Sequence, residues 1–127
     1  MILVTGGAGF IGANFVLDWF KCTPGQAEPV INLDALTYAG NRENLAELAG
    51  HPDHHFVCGD IRDAQLVGQL LREHQPRAVV NFAAESHVDR SIHGPAAFID
   101  TNVMGTFHLL QAAHAYWQSL SADKADR

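Results

Sequence analysis

The sequence predicts an α/β fold built on a parallel sheet, and three observations predict it. The chain opens on a short apolar run, Ile2-Leu3-Val4-Thr5, that leads straight into a cluster of glycines. Apolar runs of strand length recur at residues 29–34, 54–58 and 78–83. Between them lie stretches whose apolar residues follow helical spacing. Strands that alternate with helices pair in parallel, because each crossover carries the chain back over the sheet. Right-handed crossovers then favour the strand order 3-2-1-4 with helices on both faces.

Each element has its own signal. Phe10, Ile11, Phe15, Val16, Trp19 and Phe20 are spaced as one face of a helix over about 10–22. Thr23-Pro24-Gly25 breaks it, and Pro29-Val30-Ile31-Asn32-Leu33-Asp34 forms the second strand. Residues 35–42 show no clear period, and a short helix over 43–49 is ended by Gly50 and Pro52. The third strand, 54–58, is closed by Gly59 and Asp60. Asp63 is a good N-cap for a helix over 64–74, which Pro76 ends. Residues 78–83 are apolar enough for a central strand of a parallel sheet. A polar loop over 84–91 precedes Gly94-Pro95, which starts a long helix over 96–118. Residues 1–120 thus read as a four-stranded Rossmann-type domain, and residues 121–127 as a polar tail.

The glycine turn carries the chemistry. Its glycines read either as Gly7-x-Gly9-x-x-Gly12 or as Gly6-x-x-Gly9-x-x-Gly12. Glycine permits a sharp turn and lets backbone N–H groups approach a phosphate with no Cβ in the way. The helix that follows directs its unsatisfied N–H groups and positive dipole end at the same spot, where a dinucleotide pyrophosphate fits. Gly12 lets the helix pack close to the strand. Asp34 ends the second strand about 20 residues after Gly12, the spacing of an acid that holds an adenosine ribose. A carboxylate there accepts from the ribose hydroxyls and repels a 2′-phosphate. Residue 35 is alanine, so no adjacent cation reverses that preference, and the expected cofactor is NAD rather than NADP. The ligand crevice should lie at the carboxyl ends of the first and fourth strands, where Asp34, Asp60 and the turn at 82–86 converge.

Composition narrows the partners. The 127 residues carry a net charge of −6 and no basic cluster, which argues against nucleic acid and anionic membranes. Cys22 and Cys58 form no metal or redox motif, no apolar stretch reaches ~18 residues, and the chain opens directly on a strand. A reducing cytoplasm is the expected compartment. The eight histidines show no ligand spacing, so no metal is expected: His51, His54 and His55 are clustered, while His108 and His114 fall on different faces of the last helix. Ser86, His87 and Asp89 are too close in sequence to form a hydrolase triad. Val103, Met104, Phe107, Leu109, Leu110, Tyr116 and Trp117 cover much of the last helix, which suits burial of two faces, one on the sheet and one on a partner subunit or further chain.

Taken together, residues 6–12, Asp34-x-x-Thr37-Tyr38-Ala39-Gly40-Asn41, Asp60-Ile61 and Ala83-Ala84-Glu85-Ser86-His87-Val88-Asp89-Arg90-Ser91 resemble the extended short-chain dehydrogenase/reductase family, and within it the dTDP-glucose 4,6-dehydratase branch. The resemblance covers essentially the whole chain but only the front of the family's domain, and so implies that residues 1–120 are the amino-terminal part of an NAD-binding Rossmann domain that is incomplete here. It implies that Gly6, Gly9, Phe10, Ile11 and Gly12 line the pyrophosphate turn. It places Asp34, Ala35, Leu36 and Thr37 around the adenosine ribose, and Asp60 and Ile61 beside the adenine. Phe82, Ala83, Ala84, Glu85 and Ser86 would pass beneath the cofactor, and Thr101 would reach it from the last helix. Ser86 and His87 would meet the sugar. The family more often carries lysine at position 35 and leucine at position 82.

The implied reaction oxidises C4 of dTDP-glucose, removes water across C5–C6 and reduces C6, giving dTDP-4-keto-6-deoxyglucose with NAD regenerated. It needs a Tyr-x-x-x-Lys pair and an Asp–Glu pair. A phenol that acts as base needs a neighbouring cation to lower its pKa. Tyr38 is followed four residues later by Arg42 and Tyr116 by Leu120, so no catalytic residue is assigned within the chain. The expected protein is therefore a longer enzyme, a homodimer through its long helices, with its catalytic groups beyond residue 127. The competing readings are a nucleotide-sugar 4-epimerase, a GDP-mannose-type dehydratase, whose equivalent loop typically has glutamine where Glu85 stands, and a non-catalytic dinucleotide-binding module.

Overall fold

The structure, a computed structural model, describes residues 1–22 and 24–121, without the side chains of Val88, Arg90 and Ser91. The expected break at Thr23 and the expected polar tail beyond Ser121 lie outside the described residues. The chain forms two compact units: Met1–Asp60 with Ala78–Ala83, and Ile61–Arg77 with Ala84–Arg127.

The first unit holds a four-stranded, all-parallel sheet of strands β1 (Ile2–Thr5), β2 (Val30–Asp34), β3 (His54–Cys58) and β4 (Val79–Asn81), in the order β3-β2-β1-β4. That is the order the crossover rule gives. Every residue of β1 and β2 is buried, the mark of strands covered on both faces. Alternation divides their side chains. Ile2, Val4 and Val30 pack with Ala13, Val16 and Phe20 of helix α1 (Phe10–Cys22), while Leu3, Ile31 and Leu33 are buried on the other face. Register sets Val4 opposite Asn32 and Asp34 opposite Cys58, so Asp34 and Asp60 end at one edge of the sheet.

Two expectations for this unit need correction. The helix expected over 43–49 is a 3-10 segment, Arg42–Leu48, kinked at Leu45 (φ −111, ψ 17). Asn41 caps it by accepting from Glu43 N at 2.9 Å, while Leu45 and Leu48 reach into the α1 core. Burial of these two leucines overrides the regular helical path. The strand expected over 78–83 is only three residues long and half-exposed, not central. Among the described residues β4 pairs on one side only, with β1, which explains its exposure.

The second unit is helical. Helix α2 (Ala64–His74) is capped by Asp63, whose Oδ1 accepts from Leu66 N at 2.9 Å. It ends at Gln75 in the left-handed conformation, with Arg72 and His74 in its last turn facing the negative end of the dipole. Val67, Leu70 and Leu71 are its buried stripe. Part of the loop expected over 84–91 is instead helix α3 (Val88–His93), with Asp89 in the first turn, where a negative charge favours a helix. The long helix forms as expected but in three parts: α4 (Pro95–Ile99), a π-helical segment (Asp100–Gly105) and α5 (Thr106–Ser119). The widened turn coincides with Gly105, where a Cβ would stand 2.8 Å from Ile61 Cδ1. The Ile61 side chain occupies that space, and sequence periodicity does not reveal such an insertion. Leu109 faces the unit's interior, while Val103, Phe107, Leu110 and Trp117 are exposed on α5 and the turn before it.

Replacing Asp63 by alanine removes the acceptor at the start of α2. It should lower stability by ~0.5–2 kcal/mol in chemical denaturation. An unchanged midpoint would show that the cap contributes nothing.

Candidate functional site

The glycine turn leaves β1 at Thr5, and its glycines are not equivalent. Gly6 has φ +69, and a Cβ there would stand 2.6 Å from the Phe82 carbonyl carbon. The chain leaving β4 therefore passes directly against Gly6, tied by Phe82 N donating to Thr5 O at 2.9 Å. A Cβ on Gly12 would overlap Gly6 O and stand 2.8 Å from Gly7 Cα, so the first turn of α1 rests on the loop itself. Gly9 differs. A Cβ there would meet Gly6 O at 3.4 Å and Ala39 O at 3.8 Å, which are ordinary contacts. The protein's own packing requires glycine at 6 and 12 but not at 9. Of the two sequence patterns, the Gly6, Gly9, Gly12 set thus contains two structural glycines and one that leaves room outward.

Just beyond Gly9 begins α1. Its first turn contains no acidic side chain, so its positive end is not neutralised locally. Phe10 is 83% exposed and Ile11 68% exposed. Two large apolar side chains are thus held out of the core at the start of α1.

Asp34 fixes the turn. Its carboxylate is nearly buried, with Oδ2 accepting from Ala8 N and Oδ1 from Leu36 N, both at 2.8 Å. Ala8 O in turn accepts from Asn41 N at 3.0 Å and from Asn44 Nδ2 at 2.9 Å. The loop after β2 is thus folded over the turn. Leu36 takes φ +51, and Gly40 leaves the space in which a Cβ would lie 2.7 Å from Asp34 Oδ1. Each carboxylate oxygen retains acceptor capacity after one backbone bond. Asn44 was not singled out in the sequence, and Asn41 was named only as the end of a motif. Their partner, Ala8, lies more than thirty positions away, and no local pattern reports such a bond.

The other expected residues are placed as follows. Ala35 and Thr37 sit beside Asp34 in the loop, where Thr37 O accepts from Gly40 N at 2.9 Å. Asp60 follows β3 at the same sheet edge as Asp34. Phe82 turns its ring onto Phe15 of α1, with centroids 5.2 Å apart, and leaves its backbone beside Gly6. Ala83 N donates to Asn81 Oδ1 at 3.2 Å, an oxygen that also accepts from Thr5 Oγ1.

In the second unit, Ile61 is buried against Gly105, so its side chain serves packing. Asn102 forms a two-point clamp on Glu85: its Oδ1 accepts from Glu85 N and its Nδ2 donates to Glu85 O, both at 2.8 Å. The clamp fixes the backbone between Ala84 and Ser86 and sets Thr101, one position away in the π turn, close to it. Asn102 is a second residue that sequence reasoning passed over, although the π turn that presents it is a frequent mark of functional segments. Ser86 and His87 are exposed in the same loop. Among the described residues no three His, Cys, Asp or Glu side chains gather as a metal site.

Asn102→Leu keeps the branched shape without the polar atoms and strands the Glu85 N–H and C=O. It should cost ~1–3 kcal/mol in denaturant unfolding and increase hydrogen exchange at the Glu85 amide. Unchanged exchange there would show that the loop is held by something else.

Comparison with known proteins fits this geometry. Residues 3–124 match the family described as GDP-mannose 4,6 dehydratase. Over 124 residues the chain is 61% identical to a dTDP-glucose 4,6-dehydratase of Xanthomonas campestris pv. campestris (strain B100), covering 98% of this chain and 34% of that protein. It is 53% identical to dTDP-glucose 4,6-dehydratase 1 of Escherichia coli (strain K12), covering 97% of this chain and 33% of that protein. The chain thus spans about a third of the length of these relatives. Among solved structures, the dTDP-glucose 4,6-dehydratase DesIV from Streptomyces venezuelae, with NAD and TYD bound, superposes with TM-score 0.84 at 55% identity, covering 91% of this chain and 36% of that one. A UDP-glucose 4-epimerase of Thermotoga maritima with UDP-glucose gives TM-score 0.77 at 34% identity, covering 91% of this chain and 34% of that one. With nearly its whole length matched, the chain belongs to the GDP-mannose 4,6 dehydratase family.

Proposed function

We propose that the chain is the cofactor-binding part of an NAD-dependent dTDP-glucose 4,6-dehydratase. The observation that carries this reading is the 61% identity, across almost the entire chain, to a curated enzyme of that name. The geometry supports it. Gly9 opens outward beside an unneutralised helix start, and Asp34 holds spare acceptor capacity at the neighbouring strand end. These groups fit a dinucleotide, with backbone N–H groups on its diphosphate and a carboxylate on its adenosine ribose. NAD in that position would supply a hydride acceptor and donor for the sugar.

Within this reading, Gly6, Gly9, Phe10, Ile11 and Gly12 bracket the diphosphate, and Asp34, Ala35, Leu36 and Thr37 surround the ribose. Asp60 and Ile61 adjoin the adenine, the latter through its backbone, since its side chain is buried. The family resemblance assigns residues 82–86 and Thr101 to the cofactor and Ser86 and His87 to the sugar, and both Ser86 and His87 are exposed. The proton transfers belong to the whole protein, because no tyrosine among the 127 residues has a lysine four positions on. The half-exposed strand β4, apolar and paired on one side, suits a sheet that continues in the whole enzyme. The exposed apolar face of α5 suits a homodimer. Among the described residues no helix is long and apolar enough to cross a membrane, and both thiols, Cys22 and Cys58, are free, which suits a reducing cytoplasm.

Incubation of the full-length protein with dTDP-glucose and NAD should yield dTDP-4-keto-6-deoxyglucose. A product epimerised at C4 with its C6 hydroxyl intact would favour the epimerase reading, which the lower identity to epimerases disfavours. Asp34→Ala should weaken NAD binding by ~1–3 kcal/mol in calorimetry, through loss of a charged acceptor. Unaltered affinity would remove Asp34 from the site.

A further inference from the structure

Asn32 is a buried polar group that the cofactor reading does not use. Asn32 lies on β2, two positions before Asp34 and therefore on the same face, with no exposed surface. Its amide fills the space in front of Gly7: a Cβ on Gly7 would stand 2.6 Å from Asn32 Cγ. Among the described residues the amide oxygen has no hydrogen-bond partner, while Nδ2 lies 3.2 Å from Nε2 of His54 at the start of β3. An amide N–H donates, so this contact requires a bare Nε2 and hence a neutral imidazole with its proton on Nδ1.

We propose that Asn32 and His54 are a positioning pair for the glycine turn, and that a proton on His54 loosens the turn's hold on a dinucleotide diphosphate. The proposal rests on the cofactor reading above. A proton on Nε2 faces the Asn32 N–H₂ group, donor against donor. The amide must then rotate so that Oδ1 accepts from His54, which turns the N–H₂ group onto Gly7. Two hydrogens replace one bare oxygen against a backbone already in close contact, and the turn that Gly7 belongs to has to move.

The surroundings of His54 set where this happens. Burial is the largest influence, and the imidazoles of His51 and His55 and the guanidinium of Arg42 add to it. Arg42 comes from the 3-10 segment, His51 from the turn before β3, and from α1 only the neutral Phe20 ring approaches, 6.3 Å away. All four influences lower the pKa from 6.5. The folded chain therefore takes this proton less readily than the unfolded chain. The stability contributed by neutral His54 is complete above 6.5 and is lost as pH falls through its lowered folded value.

The test follows the Gly7 amide and the His54 ring by NMR in ¹⁵N-glycine- and histidine-labelled protein, between about pH 5 and about pH 8, with ADP affinity measured over the same range. The Gly7 resonance should move with the His54 midpoint, and ADP affinity should fall several-fold toward acid. In His54→Gln both dependences should vanish, whereas His51→Gln should retain them. A Gly7 resonance that ignores the His54 titration overturns the proposal, and this measurement needs no variant. ADP affinity in His54→Gln that still falls toward acid as in the parent overturns it too. Failure of ADP to bind at any pH, with Gly7 still following His54, overturns the cofactor reading alone and leaves the coupling standing.

Discussion

The bond on which the rest of the structure depends is the one from Ala8 N to the buried carboxylate of Asp34. It joins the turn after β1 to the end of β2, 26 residues away in sequence. A hydrogen bond to a charged acceptor contributes about 1.5–3 kcal/mol, and this one is shielded from water. The remaining geometry follows from it. With Ala8 N engaged, Ala8 O faces Asn41 and Asn44, which draws the loop after β2 across the turn. With Asp34 turned inward, Leu36 adopts a positive φ to place its own N–H on the second oxygen. The turn is therefore held in place by the protein's own bonds.

That arrangement explains why three glycines at one turn have different roles. Gly6 and Gly12 are required by atoms of the chain: the backbone leaving β4 crowds one, and the turn's own carbonyl crowds the other. No such crowding exists at Gly9. Conformational freedom costs entropy on folding, so a glycine that internal packing does not need points to something outside the chain. A sequence pattern treats all three alike.

The β-sheet was legible because its signals are local. Apolar runs bounded by Gly, Pro and Asp gave β1, β2 and β3 nearly to the residue, and the crossover rule gave their order. Asp63 was legible as a cap for the same reason. The failures share one physical cause, which is contacts between residues distant in sequence. The 3-10 path over Arg42–Leu48 is set by two leucines reaching the α1 core. The π turn is set by the Ile61 side chain beside Gly105. The side chains of Asn44 and Asn102 act on backbone groups far along the chain, and an asparagine's identity does not disclose which distant carbonyl or amide it will meet. The candidate residues Gly9 and Asp34 stood out by their spacing and the turn at 82–86 by its place at the strand ends, whereas the individual roles of residues 82–86 and Thr101 came from resemblance.

Asp34 has two tasks, and they constrain each other. As the ribose acceptor of the proposed function it would repel a 2′-phosphate, so acceptance of NADP would call for a smaller or neutral residue at this position. As an internal acceptor it holds Ala8 and Leu36. A substitution that admits the extra phosphate also leaves two backbone N–H groups without their acceptor and releases the turn that should cradle the diphosphate. Serine or asparagine would retain a short acceptor but reach only one of the two N–H groups with full strength, since a neutral oxygen bonds about half as strongly as a carboxylate. Cofactor choice at this site is thereby tied to the integrity of the turn. Ala35, next to it, carries no such double duty: a cation placed there could pair with a 2′-phosphate without disturbing either bond, so the route to altered specificity that costs the fold least runs through the neighbour and leaves the acid in place.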